Sequence, residues 1–177
     1  MKAPNIIIAI DPDIDGSGVA TLELDAKVIT ATNMRLPHLI DYLKSVKTKA
    51  INADSSYVVV VEASWLCSGN WHLDWDDSRN RAAAKGRQVG RNHEIGRQIV
   101  EFCNYLDITY EEKYPLRKTW AGKDGKITAA ELQQLCHYTE VTLLARRTNQ
   151  EMRDAMLIAL DRSNLPLTIK FPPEKRR

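Results

Sequence analysis

Short, unbroken apolar runs alternate along the chain with longer stretches of helical period, and together they predict an order of elements. Asn5 to Ile10 is too short and too β-branched for a helix, and it stops at Asp11-Pro12, where proline removes a ladder donor; a buried strand is expected. Gly16-Ser17-Gly18 supplies a turn. Val19 to Glu23 and Val28 to Thr32 read as two more strands, separated by the polar Asp25-Ala26-Lys27, so the chain opens as an antiparallel meander. Pro37 suits a first helical turn, and Leu36, Leu39, Ile40 and Leu43 recur at helical spacing. Tyr57 to Val61 is continuous rather than alternating, as in a strand covered on both faces, and it ends at Glu62.

All periodicity fails from 63 to 78, a long loop carrying Trp65, Trp71, His72, Asp74, Trp75, Asp76 and Asp77. It returns from Arg79 to Tyr105, where Ala83, Gly86, Gly90, His93, Gly96, Val100 and Cys103 form one stripe. Glycine in a helix costs roughly 1 kcal/mol against alanine, so the three glycines imply a close backbone approach to a neighbour. Ile108 to Glu111 reads as a short strand. Thr128-Ala129-Ala130-Glu131 is a capping box opening a helix to about Tyr138, and Asn149 can cap a last helix through Leu160. Residues 1–165 are expected to form one domain, with 166–177, ending Pro172-Pro173-Glu174-Lys175-Arg176-Arg177, as a frayed tail.

With 177 residues, 44% of them apolar, the chain can build one α/β core. The balance of 25 Lys+Arg against 23 Asp+Glu does not announce a nucleic-acid binder, so charge has to be read locally. The longest apolar runs fall far short of the roughly 18 residues that span a bilayer, and the N-terminus lacks a secretion signal, which makes a soluble, cytoplasmic protein without membrane partners the expectation. Cys67, Cys103 and Cys136 are widely spaced with no Cys-x-x-Cys pair; reduced thiols are expected, not a disulfide framework or a zinc site.

Acidic residues stand where buried runs end. Asp11 follows Ile6 to Ile10, and Glu62 follows Val58 to Val61. If these strands are parallel neighbours their carboxylates meet, and like charges about 4 Å apart repel by about 4 kcal/mol at an effective dielectric near 20. A hard divalent cation, magnesium or manganese, is the natural partner of carboxylates unaccompanied by histidine or thiolate. Glu151 and Asp154 sit three apart on one face of the last helix, flanked by Ala155, Ile158 and Ala159. Taken singly, Asp154 could equally be a partly buried acid bonded to Arg153 or to a backbone amide.

Four segments resemble a known family. Ile7-Ile8-Ala9-Ile10-Asp11-Pro12-Asp13-x-x-Gly16-x-Gly18-Val19-Ala20 is similar to the first strand and turn of the RuvC-type Holliday junction resolvases of the ribonuclease H-like superfamily, and Val59-Val60-Val61-Glu62 to their second acidic strand. Lys85-Gly86-x-x-x-Gly90, continuing to Gly96-Arg97-Gln98-Ile99-Val100, resembles their central helix, and Arg153-Asp154-Ala155-x-x-Ile158-Ala159 their last acidic helix. The resemblance covers residues 5 to 161. It implies a ribonuclease H-like α/β fold: a mixed five-stranded sheet, its first three strands antiparallel, flanked by helices. It also implies a homodimeric endonuclease that resolves four-way junctions by paired symmetric nicks, leaving 5′-phosphate and 3′-hydroxyl ends. Two Mg2+ ions would serve the displacement at phosphorus, Asp11 bridging them, Glu62 holding one, and Asp154 with Glu151 the other. The chain departs from the family at Asp13, where glycine is usual, at Asp15, and in its longer loop after Glu62.

Two basic stretches lie within the near-neutral total. Arg79, Arg81, Lys85, Arg87, Arg91 and Arg97 face one acid, Glu94; Lys113, Arg117, Lys118, Lys123 and Lys126 face Asp124. Arg79, Arg81, Lys85, Arg87, Arg91, Arg117 and Lys118 are the candidate phosphate contacts, with Arg146-Arg147 close to the last helix. Trp71 and Trp75 are candidates for stacking on unpaired bases, alongside Trp65 and His72; buried, such residues are ordinary core. A solvated helix face is the ordinary alternative for the basic runs. His93 reads as an interior histidine, and Cys136-His137 has no second ligand pair. Three other functions share these features: a related nuclease acting on forks, flaps or RNA, a non-catalytic nucleic-acid-binding or assembly protein on the same fold, and a nucleotide-binding domain of the actin and sugar-kinase type. The last needs a second phosphate loop, which the sequence lacks.

Overall fold

The computed structural model describes residues 4–52, 55–67, 76–145, 147–165 and 167. Strands β1 (Ile6–Asp11), β2 (Ser17–Glu23) and β3 (Val28–Met34) form the expected meander, followed by helix α1 (Leu36–Asn52) and strand β4 (Tyr57–Glu62). Helix α2 (Arg79–Tyr105), strand β5 (Tyr110–Lys113), helix α3 (Ala129–Tyr138), strand β6 (Thr142–Leu143) and helix α4 (Gln150–Arg162) complete the order. One sheet runs β5-β4-β1-β2-β3-β6. β1, β2 and β3 pair antiparallel, whereas β4 lies parallel to β1, β5 parallel to β4 and β6 parallel to β3.

Successive side chains of a strand point to opposite faces, so the continuous apolar runs serve two cores at once. Ile7, Ala9, Ala20, Leu22, Val58 and Val60 pack with Leu132 and Leu135 of α3 and with residues 155–160 of α4. Ile8, Ile10, Val19, Val59 and Val61 pack on the other face with Leu39 and Leu43 of α1 and Ile95, Ile99 and Cys103 of α2. Each fully buried isoleucine or leucine is worth about 1.5–3 kcal/mol over an exposed one, so the two layers hold the sheet from both sides.

Three expectations change. The sheet has six strands, not five, because Thr142–Leu143 pairs with Val28 and Ile29; two residues are too few to show a period. The strand expected at Ile108 to Glu111 lies at Tyr110–Lys113: Asp107 takes φ +50° as α2 ends, and Ile108 becomes a buried plug whose N–H donates to Cys103 O at 2.8 Å. Of the helix glycines, Gly96 meets the expectation, for a Cβ there would lie 2.1 Å from the Trp65 ring; Gly90 does not, having nothing within 4 Å. Gly96 and Cys103 of the expected stripe lie on the buried line, which otherwise runs through Ile95 and Ile99 in place of His93 and Val100.

Thr128 and Asn149 cap α3 and α4 as expected, their side chains accepting from Glu131 N and Met152 N. Cys67, Cys103 and Cys136 are free, the latter two buried. No helix among the described residues is long and apolar enough to cross a membrane. Trp71, Trp75 and their neighbours His72 and Asp74, together with Arg146 and residues 168–177, lie outside the described residues.

Candidate active site

The parallel pairing of β1 with β4 sets Ile10 opposite Val61, so Asp11 and Glu62 stand side by side as the next residues of neighbouring strands. Alternation turns both side chains to the face of Ile7, Ala9, Val58 and Val60, the face covered by α4. Asp11 pairs across the antiparallel ladder with Gly18. Because Gly18 has no side chain, the first turn of α4 lies directly on β2: a Cβ at Gly18 would stand 2.0 Å from the Glu151 carbonyl oxygen. Glu151 and Asp154 are thereby delivered beside Asp11.

Electrostatics registers the gathering. Burial pushes the Asp11 carboxyl well above the usual range, and repulsion by Glu62, Asp154 and Glu151 pushes it further, against the pull of Lys126. Glu62 is pushed up to about 7 by burial and then by Asp154, with Lys118 and Lys126 opposing. Asp154 is raised by burial and by Glu151; the Gln150 amide, Lys126 and Lys118 act the other way. Four carboxylates and two ammonium groups therefore share one field, and like charges held out of water favour protons or cations.

The two lysines come from a tight loop ahead of α3. Trp120 N donates to Gly125 O at 2.9 Å and Gly122 N to Lys126 O at 3.0 Å, while Gly125 takes φ +71° with Lys118 O where a side chain would stand. Lys118, Lys126 and Asp154 line one cleft with Leu116, Arg117, Trp120 and Leu157. Lys126 belongs to the basic stretch visible in sequence, but nothing there sets it apart from Lys113 or Lys123. Its one local signal is its place between the Gly122-x-x-Gly125 turn and the capping box of α3.

An all-carboxylate donor set fits a hard divalent ion in kind. In the arrangement seen, however, no group of three His, Cys, Asp or Glu side chains among the described residues could hold a metal ion. Lys118 and Lys126 oppose the upward shifts of Glu62 and Asp154 in part.

Three antiparallel strands, two more running parallel to the first, and a capped acidic helix lying across β1 and β2 settle the architecture. This is the architecture that the ribonuclease H-like resemblance implies, with a sixth strand at its edge. Its solved likenesses include Thermus thermophilus RuvC in complex with a Holliday junction substrate, at 14% identity and a TM-score of 0.48, covering 89% of this chain and 92% of that one. The fowlpox virus resolvase in complex with Holliday junction DNA gives 9%, 0.42, 89% and 98% for the same measures, in that order. For the yeast mitochondrial Holliday junction resolvase Ydc2 they are 12%, 0.39, 88% and 78%. No protein-family model matches the chain, and no curated protein matches it in sequence.

The remaining candidates lie around this core. α2 packs on the sheet face opposite α4 and exposes Arg79, Arg87 and Arg91. Arg81 and Lys85 are instead paired with Asp77, at 3.0 and 2.7 Å, and the Asp77 side chain is only 2% exposed. Trp65 sets its ring against Gly96, partly buried on the core, and donates its Nε1–H to Glu112 Oε2 at 3.1 Å, the packing alternative for a tryptophan of that loop. Asp13 secures its turn: Asn92 Nδ2 donates to Asp13 Oδ2 at 3.0 Å while Asn92 Oδ1 accepts from Ile14 N at 3.1 Å, tying the end of β1 to α2. Asp154 is bonded by Gln150 Nε2 at 2.7 Å, not by Arg153.

Proposed function

We propose that the chain is a divalent-metal-dependent endodeoxyribonuclease that cuts branched DNA, with the four-way junction as its substrate and a homodimer as its working form. The observation that carries this reading is the convergence of Asp11, Glu62, Glu151 and Asp154 from three elements into one repulsive, partly buried cluster. Asp11, Glu62, Glu151 and Asp154 would hold two Mg2+ ions, with Mn2+ able to substitute. The ions would supply Lewis-acid stabilisation of an in-line displacement at phosphorus, leaving 5′-phosphate and 3′-hydroxyl ends.

The chain's own residues do the rest. Lys118 and Lys126, at the cleft beside Asp154, would take up phosphate oxygens. Arg79, Arg87 and Arg91, exposed along α2, and Arg117 hold the flanking backbone. Two copies related by a twofold axis would set two such sites on opposing strands, the condition for paired nicks.

The test incubates the protein with four-way junction, fork, flap, linear duplex and RNA:DNA hybrid, with and without Mg2+, beside Asp11→Asn and Glu62→Gln. Junction cleavage that needs Mg2+ and falls at least about 100-fold in both variants, with binding kept, supports the reading. Preference for forks, flaps or hybrid reassigns the substrate, and cleavage without metal refutes the mechanism. A non-catalytic junction-binding protein is the second reading, favoured by the fact that no group of three His, Cys, Asp or Glu side chains among the described residues could hold a metal ion as arranged; binding without cleavage under every condition would establish it.

A further inference from the structure

Arg153 directly precedes Asp154 on α4, yet its bonds among the described residues go to no carboxylate. Its Nε donates to Ile127 O at 3.0 Å, Nη1 to Thr148 O at 2.8 Å, and Nη2 to Gln150 Oε1 at 2.8 Å. The last bond orients the Gln150 amide: with Oε1 engaged, its Nε2 is the atom that donates to Asp154 Oδ1 at 2.7 Å. The first bond acts on the opposite wall of the cleft, because Ile127 follows Lys126 directly.

Ile127 is buried in the core beside α4, with Leu116 and Trp120 packed against the same cluster; the polar bonds of that wall are otherwise those of its own loop. Lys126 N donates to Lys123 O at 3.1 Å, Lys126 O accepts from Gly122 N, and Ala121 N donates to Glu131 Oε1 at 2.8 Å. These bonds shape the loop and join it to α3, but none of them reaches α4. Arg153 does so, with one planar group whose donors point three ways, a geometry an ammonium cannot reproduce.

We infer that Arg153 is a positioning residue that sets the spacing between the Lys126 side of the cleft and Asp154, gripping the first through Ile127 O and the second through Gln150. The inference rests on the nuclease reading for its kinetic consequence, though not for its structural one. With the spacing set, an ammonium stands by the carboxylates without closing on them, poised for a phosphate oxygen; without it, loop and helix drift apart and turnover suffers while DNA held along α2 stays bound.

The test compares Arg153→Gln, Arg153→Lys and Gln150→Ala with the full-length wild type, each first shown to fold by its circular dichroism melt. Two quantities are read: cleavage of a four-way junction split into kcat and KM, and acetylation of Lys126 by an amine-reactive ester, measured by mass spectrometry against exposed Lys49. Arg153→Gln should lower kcat at least 10-fold with KM within twofold, and raise Lys126 labelling several-fold relative to Lys49. Arg153→Lys should restore neither, since charge without the fork is not enough. Gln150→Ala, which leaves the Ile127 bond in place, should lower kcat a few-fold with Lys126 labelling unchanged.

Wild-type kcat in Arg153→Gln, full rescue by lysine, or a loss carried wholly by KM overturns the inference. If Arg153→Gln does not fold, an unchanged kcat in Gln150→Ala overturns the link to Asp154. Should the wild type cut nothing, the nuclease reading fails separately, and Lys126 labelling alone decides whether Arg153 spaces the cleft: several-fold higher in Arg153→Gln upholds it, unchanged refutes it.

Discussion

The carbonyl oxygen of Glu151 occupies the place where Gly18 would carry a side chain, 2.0 Å from an ideal Cβ. This close approach, together with the packing of Ala20 and Leu22 against α4, seats the start of the helix on the strand that pairs with Asp11. Gly18→Ala sets a methyl against backbone, which cannot rotate aside. We expect a destabilisation of about 1–3 kcal/mol, typical of an overpacked buried site, and a Tm lowered by roughly 2–12 °C in a thermal melt. A variant melting with the wild type would place α4 elsewhere.

Gly96 and Gly90, in one helix, should respond with opposite signs. Gly96→Ala meets the Trp65 ring at 2.1 Å, whereas Gly90→Ala meets nothing within 4 Å. Alanine at 90 should therefore stabilise by about 0.5–1 kcal/mol through helix propensity, and alanine at 96 should destabilise by a larger amount. Urea unfolding of the two variants decides the matter, and a shared sign would contradict the packing described.

Glu62, raised to about 7 from an ordinary value of 4.5, binds a proton in the folded protein that the unfolded chain has already released. Its contribution is intact below pH 4.5 and lost as pH rises through 7, so stability should fall across that window. Asp11 and Asp154 are raised too and act in the same direction. In metal chelator at pH 8, Glu62→Gln should be more stable than wild type by on the order of 1–3 kcal/mol, and the gap should close near pH 4. Urea unfolding at pH 4, 6 and 8 provides the check.

A divalent ion that binds only the folded state must raise its melting temperature. At a hundredfold excess over its dissociation constant the gain is about 2.7 kcal/mol. Mg2+ or Mn2+ should stabilise the wild type and act much less on Asp11→Asn, which removes the acid that the other three press upon. Equal shifts in both proteins would assign the ion to another site.

How far the site could be read before folding differs from residue to residue. Asp11 and Glu62 stand out because a carboxylate closing a continuous β-branched run is conspicuous in one dimension, and the caps at Thr128 and Asn149 are visible because a cap bonds an amide two or three residues away. Asp13 did not reveal its role, since its partner Asn92 lies 79 residues off in another element. Trp65 could be read either way until Gly96 was found beneath it. Adjacency in sequence suggests Arg153 as a partner for Asp154, yet its bonds go to Ile127, Thr148 and Gln150.

Sequence by itself determined the order of the elements, the meander, the two-sided burial of β1 and β4 and the acids at their ends, for these follow from side-chain period, backbone restriction and hydrogen bonds of short reach. Tertiary structure alone decided that β4 pairs beside β1, that α4 settles on Gly18, that β6 joins the edge, and that Lys118 and Lys126 fold back toward the carboxylates. Those contacts join residues far apart along the chain. Packing and long-range charge select among them only once the whole core has closed, and no local pattern records that choice.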